Sequence, residues 1–377
     1  VFPELARIAM DEAPPSENVD LEEMIHEFLT NDDQPLQGHS GFGQPELVAF
    51  NDSRFYIQIL FWMEGTTDIH QHEFSGAFHV MRGSSVHSEF DFVGAHSVTP
   101  HIRTGELRLK QIELLETGRT VPIISGRECI HSLFHLDTPS LTVVVRTHHD
   151  PGTGPQYNYL PPHIAIDPIH ADSLTMRRKQ LLDVLENLDH PSYALQVNEM
   201  IESLDFERGF HTLHHAMDRL QFLGEWESVL AIFQEKHGNL AKGVPATLAE
   251  NLRRETISQM RYHIDNPEHR FFLALLMNVQ NSKDIQALIT ERYPDQSPNE
   301  TILRWAEELI EPADFGLTLL DAAFPETIEV DIDTQFDLLI DTLKHALNES
   351  PESNTTTAEY PEIHAVLSGS CLRPLFC

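Results

Sequence analysis

His70 and His72 flank Gln71 in GTTDIHQHEFSGAFHVMRG, residues 65–83. On a strand, residues i and i+2 project from the same face. Two imidazoles placed so can chelate one metal ion, and a third ligand must come from elsewhere in the chain. The segment VPIISGRECIHSLFHLDTPSLTVVV, residues 121–145, offers His131 and His135 on or beside a second strand pair. Imidazole suits Fe, Zn, Cu and Ni alike, so affinity alone does not choose the ion. Cys129, two residues before His131, reads as a small core hydrophobe rather than a nucleophile. His79 and His87 are not expected as ligands; His79 is seven residues after His72, on the other strand face. His148 and His149 follow the strand end and are expected at the surface.

A second histidine cluster, HTLHH, places His211 and His215 at i, i+4 on a helix, with Glu207 and Asp218 near. A di-metal carboxylate bundle needs Glu-x-x-His on two helices. No such pair is found (His263 and Glu255 are eight apart), so a His-rich helix face is expected. GxxxxGK[ST], GxGxxG and GxSxG are absent, which removes the phosphate-loop, dinucleotide and serine-elbow chemistries.

The elements that must hold these residues divide into four parts. Residues 1–45 form an N-terminal arm with one amphipathic helix, on which Leu21, Met24, Ile25, Phe28 and Leu29 recur at helical spacing and Asn18 or Asp20 caps the start. Residues 46–165 carry short β-branched and aromatic runs broken by Gly, Pro, Asp and Ser, the pattern of a β-barrel or sandwich. Residues 166–345 switch to helical period and predict an all-α region. Residues 346–377 are a polar linker and an apolar tail that docks or is disordered. The fold class expected is therefore α+β and multidomain, a β-barrel followed by helices.

The 377 residues carry a net charge of −34, from 25 Lys and Arg against 59 Asp and Glu. Nucleic acid is excluded as a partner, because binding it rests on neutralising phosphates with basic side chains. An anionic membrane surface is disfavoured for the same reason, and no apolar run reaches transmembrane length. The N-terminal residues lack the pattern of a signal peptide. Three widely spaced cysteines, Cys129, Cys371 and Cys377, form no disulfide framework. A cytoplasmic location is expected.

The order Gly, HxH, Gly83, then Gly126, His131 and His135 resembles the two motifs of the cupin barrel, with His135 standing where that pattern has Asn. Within cupins, IQILFWMEGTTDIHQHEFSGAFHVMRGSSVHSEFDF and IHSLFHLDTPSLTVVV are similar to the cysteine dioxygenase family of thiol dioxygenases, over residues 50–150. The resemblance implies a double-stranded β-helix, one Fe(II) per chain held by His70, His72 and His131, and a reaction with O₂. Many cupins place a Glu four or five residues after the second His; here those positions are Gly76 and Ala77, leaving a neutral three-His face. The family's cross-link Cys falls on Ala77, its Ser-His-Tyr set on Thr142, Val144 and Arg146, and its carboxylate-gripping Arg has Arg54 as nearest match. These departures point to a thiol or amino-acid-like substrate other than free cysteine.

If Thr142, Val144 and Arg146 share the inward face, Arg146 points at the metal cavity. A buried Arg needs an anionic partner, either a substrate carboxylate or an internal acid such as Glu64 or Glu73. His135 is a candidate for orienting a ligand or moving a proton, the alternative being a core histidine. Tyr157, Tyr159 and His163 follow the barrel and are candidates to close its mouth, or belong to a packed linker. Two functional classes remain: an iron oxygenase acting on a small molecule and O₂, and a non-catalytic ligand-binding or scaffold protein whose helices recruit a partner. A homodimer is a candidate assembly.

Overall fold

A computed structural model describes the chain apart from residues 39–41, 64, 171, 311–313, 325–330 and 349–360. The arm holds three helices where one was expected: α1 (Phe2–Glu12), α2 (Pro15–Asn18) and α3 (Leu21–Thr30). The missed α1 is held by Ala6 and Met10, which pack against Ala77. Of the two candidate caps of α3 it is Asp20 whose carboxylate accepts from Glu23 N–H.

The alternating runs form β1 (Glu46–Asn51), β2 (Phe55–Trp62), β3 (His70–His72), β4 (Gly76–Arg82), β5 (Ser84–Ser97), β6 (Ile102–Glu116), β7 (Thr120–Ile123), β8 (Gly126–His135), β9 (Ser140–Thr147), β10 (Asn158–Leu160) and β11 (Ile164–Ile166). One sheet has the order β1-β2-β9-β4-β7; the other closes as a barrel, β10-β11-β6-β5-β8-β3. The barrel expected from the strand pattern is present. Its interior packs Leu60, Trp62, Phe74, Phe78, Leu133 and Val144 together, drawn from both sheets. The other face of β2 and β9 presents Ile59, Phe61, Leu141 and Val143, which α3 covers with Leu21, Met24 and Ile25. The arm thus shields the apolar back of a sheet whose front lines the cavity.

The helices are α4 (Ser173–Asn187), α5 (Tyr193–Ser203), α6 (Phe206–Phe222), α7 (Trp226–His237), α8 (Val244–His263), α9 (Pro267–Asn278), α10 (Ser282–Arg292), α11 (Pro298–Ile310), α12 (Asp314–Ala323), α13 (Ile332–Asn348) and α14 (Pro361–Gly369). The chain forms two compact units, Val1–Leu252 and Arg253–Cys377. The division falls inside α8. The physical reason is a shared core: Ile102 and Ile164 of the barrel lie in one apolar cluster with Phe210, Leu213, Val229 and Phe233 of α6 and α7. In the second unit the apolar tail is docked, with Ile363, Leu367, Cys371 and Leu375 buried.

Candidate metal centre

β3 and β8 are antiparallel neighbours, and His70 lies directly opposite His131. The pairing then shifts, so that His72 faces Gly126. This brings His70, His72 and His131 together; one ring nitrogen from each lies within 4.8 Å of the others. All three are buried, at 3%, 4% and 2% exposure. Burial is the main cause that holds each imidazole below its ordinary value. They are therefore neutral near pH 7, the form that ligates metal.

The donor geometry fits an ion. His72 Nε2 and His131 Nε2 stand 2.9 Å apart. Two imidazole nitrogens bound at right angles to one ion, at about 2.1 Å each, are about 3 Å apart. His70 Nδ1 donates to the Asp68 carbonyl at 2.8 Å, leaving Nε2 as the lone-pair nitrogen. That Nε2 is buried and meets no hydrogen-bond partner among the described residues. A buried, unpaired acceptor is costly unless something binds it. Gly76 and Ala77 supply no fourth ligand. A Cβ on Gly76 would stand 2.1 Å from the Val145 carbonyl oxygen, so β4 and β9 leave no room there for an acid. Ala77 packs on α1, so the position matched to the cross-link cysteine faces the arm and not the cavity.

His131 has a second partner that local spacing did not reveal. His87 Nε2 lies 2.9 Å from His131 Nδ1, and His87 Nδ1 lies 3.3 Å from Glu113 Oε1. The contact with His87 holds the Glu113 carboxyl below its usual value. His87, Glu89 and Glu113 also form a second close group of potential ligands. His87 is not one of the three clustered imidazoles, but it stands directly behind one. His79 is on the opposite face, between Thr120 and Ser16.

The three imidazoles open onto a cavity of about 340 Å³. Thr142, Val144 and Arg146 all line it, as strand alternation requires. Arg146 stacks on Phe74, with its guanidinium carbon 3.3 Å from the ring centroid and 4.9 Å from that of Tyr56. Its hydrogen bonds are long: 3.5 Å to Gln58 Oε1, 3.3 Å to the Thr147 carbonyl and 3.4 Å to the His148 carbonyl. Burial lowers its pKa, opposed by Tyr56, Glu46 and Glu73. Among the described residues it forms no ion pair. Glu73 turns to His149 at 3.5 Å, Glu46 accepts from Gln58, and Glu64 lies outside the described residues.

His135 and Tyr159 are not among the residues that line the cavity. His135 is fully buried and stacks on Trp62, 4.7 Å between centroids, with Nδ1 2.8 Å from both Ser85 Oγ and Ser140 Oγ. It backs the indole whose own N–H donates to Thr142 Oγ1 at 3.0 Å. Tyr159 donates its hydroxyl to Gln71 Oε1 at 2.6 Å and so braces β3 from behind. Tyr157 donates to the Pro100 carbonyl, and His163 lies 3.0 Å from the Gly105 carbonyl. Phe42 and Ile169, both exposed, line the cavity instead, with Gln156. Burial raises Cys129 to about 11, in keeping with an inert thiol. On α6, His214 accepts from Asn251 Nδ2 and His215 pairs with Asp183 at 2.7 Å, so HTLHH makes helix contacts.

No family model matches the chain, and no curated protein matches it. Solved structures align with part of the chain. A cupin-2 domain containing protein from Shewanella frigidimarina is 14% identical, with 34% of this chain and 94% of that chain covered and a TM-score of 0.22. KdgF from Halomonas sp. is 16% identical, with 32% and 93% covered and a TM-score of 0.22. An oxalate decarboxylase from Lactobacillus farciminis, in a formate complex, is 14% identical, with 31% of each chain covered and a TM-score of 0.23.

Proposed function

We propose that this chain is a mononuclear Fe(II)- and O₂-dependent oxygenase of the cupin type, acting on a small carboxylate-bearing substrate such as a thiol or amino-acid-like acid. One observation carries the reading: three buried neutral imidazoles and a half-buried guanidinium with no ion-pair partner among the described residues line a single, mostly apolar cavity. His70, His72 and His131 would hold the ion. Iron in such a facial set supplies open positions at which substrate and O₂ can meet.

The chain's own residues do the rest. Arg146 donates to the substrate carboxylate, which replaces the long, weak contacts that its N–H groups make now. Phe74 and Tyr56 keep the guanidinium plane in place. Leu60, Trp62, Phe78, Ile123, Leu133 and Val144 pack the substrate body and exclude water.

The test is metal content after anaerobic purification, beside a His70→Ala/His72→Ala variant. About one iron per chain, lost in the variant, with O₂ uptake on adding small thiol or amino carboxylates, is the expected result. No metal in the wild type, no Fe(II) taken up and an intact fold would overturn it in favour of a ligand-binding module. Bound zinc or nickel without O₂ uptake would overturn the oxygenase assignment alone.

A further inference from the structure

We infer that His87 and Glu113 are positioning residues that set the tautomer of His131 and so decide whether the third ligand exists. The inference rests on the three-His reading above. His131 has two ring nitrogens and both are engaged: Nε2 faces His72 Nε2 at 2.9 Å and Nδ1 faces His87 Nε2 at 2.9 Å. A neutral imidazole carries one proton. If it sits on Nε2, it donates to His72 and closes the site to metal. If it sits on Nδ1, it donates to His87, and the Nε2 lone pair is offered to the ion.

His87 alone does not choose between the two, since it can accept or donate at Nε2. Glu113 chooses. An ionised carboxylate only accepts, so His87 must turn its proton to Nδ1, 3.3 Å from Glu113 Oε1. Its Nε2 is then an acceptor, and His131 must donate. The direction of every bond follows from one end of the chain. The three ligands are held differently in this respect. His70 is fixed by a backbone carbonyl, His131 by a histidine and an acid on two other strands, and His72 Nδ1 meets no partner among the described residues.

The fold makes the arrangement dependable. His87 on β5 is directly opposite Glu113 on β6 and Leu133 on β8. Leu133 lines the cavity two residues from His131, so all four side chains share the inner face. His87 is 1% exposed and Glu113 27%. The acid can therefore keep its charge in contact with water while its partner is dry.

The experiment is Co(II) titration of the metal-free full chain, followed by competition with a chelator and by the visible spectrum of the bound ion. His87→Leu is expected to weaken Co(II) binding about 10–100-fold, the usual effect of losing a partner behind a ligand, and to shift the bands. His87→Gln, whose carbonyl can accept from His131 Nδ1, is expected to restore most of the affinity. Glu113→Leu, at a half-buried position, is expected to weaken binding in the same direction and serves if His87→Leu does not fold. Wild-type affinity and spectrum in both His87→Leu and Glu113→Leu would overturn the inference. So would a second equivalent of Co(II) that disappears in these variants, since His87, Glu89 and Glu113 would then be ligands themselves. His131→Ala separates the two ideas: if it keeps full Co(II) affinity, the three-His reading itself falls.

Discussion

Arg146 is the only Lys or Arg among the described residues that line the cavity. Its half-buried charge packs against two aromatic faces, and its hydrogen bonds are longer than the normal N–H···O range. Hydrogen bonds to a charged group are worth about 1.5–3 kcal/mol. Arg146→Leu is therefore expected to weaken binding of small carboxylates by about 10–100-fold, read by calorimetry on the metal-loaded protein. Arg146→Lys is expected to recover only part, because a point charge does not reproduce the planar fork. Equal carboxylate affinity in Arg146→Leu would remove the anchor role and leave Arg146 as a structural stack on Phe74. His135 illustrates the opposite outcome at this scale. Its spacing from His131 made it a candidate near the ion, yet its ring backs Trp62 and does not line the cavity.

At the scale of elements, the site depends on how closely β4 and β9 approach. Gly76 lies directly opposite Arg146, and a Cβ there would sit 2.9 Å from Arg146 Cα as well as against the Val145 carbonyl. Such backbone contacts do not yield as a flexible side chain would. Gly76→Ala is expected to cost about 2–4 kcal/mol, among the larger effects of single substitutions. It is also expected to displace Arg146 enough to reduce carboxylate binding. Denaturant midpoints and the same calorimetry check both, and unchanged midpoints would show that the strands can separate freely. The expectation of strands over 46–165 was legible because β-branched and aromatic runs alternate there and turn residues punctuate them. α1 was not, although Phe2, Leu5, Ala6, Ile8 and Met10 give it an apolar face, because Pro3 and the Pro14–Pro15 pair punctuate that short stretch and read as breakers.

On the scale of the whole molecule, the charge of −34 favours solubility and disfavours polyanionic partners. No described helix is long and apolar enough to cross a membrane. Buried histidines give the first compact unit an acid limit. Burial pushes His214 down to about 4, while an unfolded histidine titrates near 6.5. Between these values the unfolded chain binds a proton that the native chain does not, so stability rises with pH. The contribution is fully present above about pH 6.5 and is lost as pH falls toward about 4, by roughly 3 kcal/mol. His214→Gln keeps an acceptor for Asn251 and removes the titration. Its urea midpoint is expected to fall less than that of the wild type between pH 7 and pH 4.5. Parallel falls in the two proteins would show that His214 is not the group responsible.

The sequence alone determined which residue types share a face. Period-two alternation put His70 beside His72 and aligned Thr142, Val144 and Arg146, since a strand repeats every second residue whatever it pairs with. It also separated a β region from a helical one, because the two periods differ. The tertiary structure decided which faces meet. His131 rather than His135 reaches the pair because β8 is in register with β3 at His70. His87 and Glu113 come behind His131 through pairings 44 and 26 residues apart in sequence. Tyr159 is turned onto Gln71 by a contact spanning 88 residues. Register between distant strands is set by the packing of the whole barrel, and no local spacing encodes it.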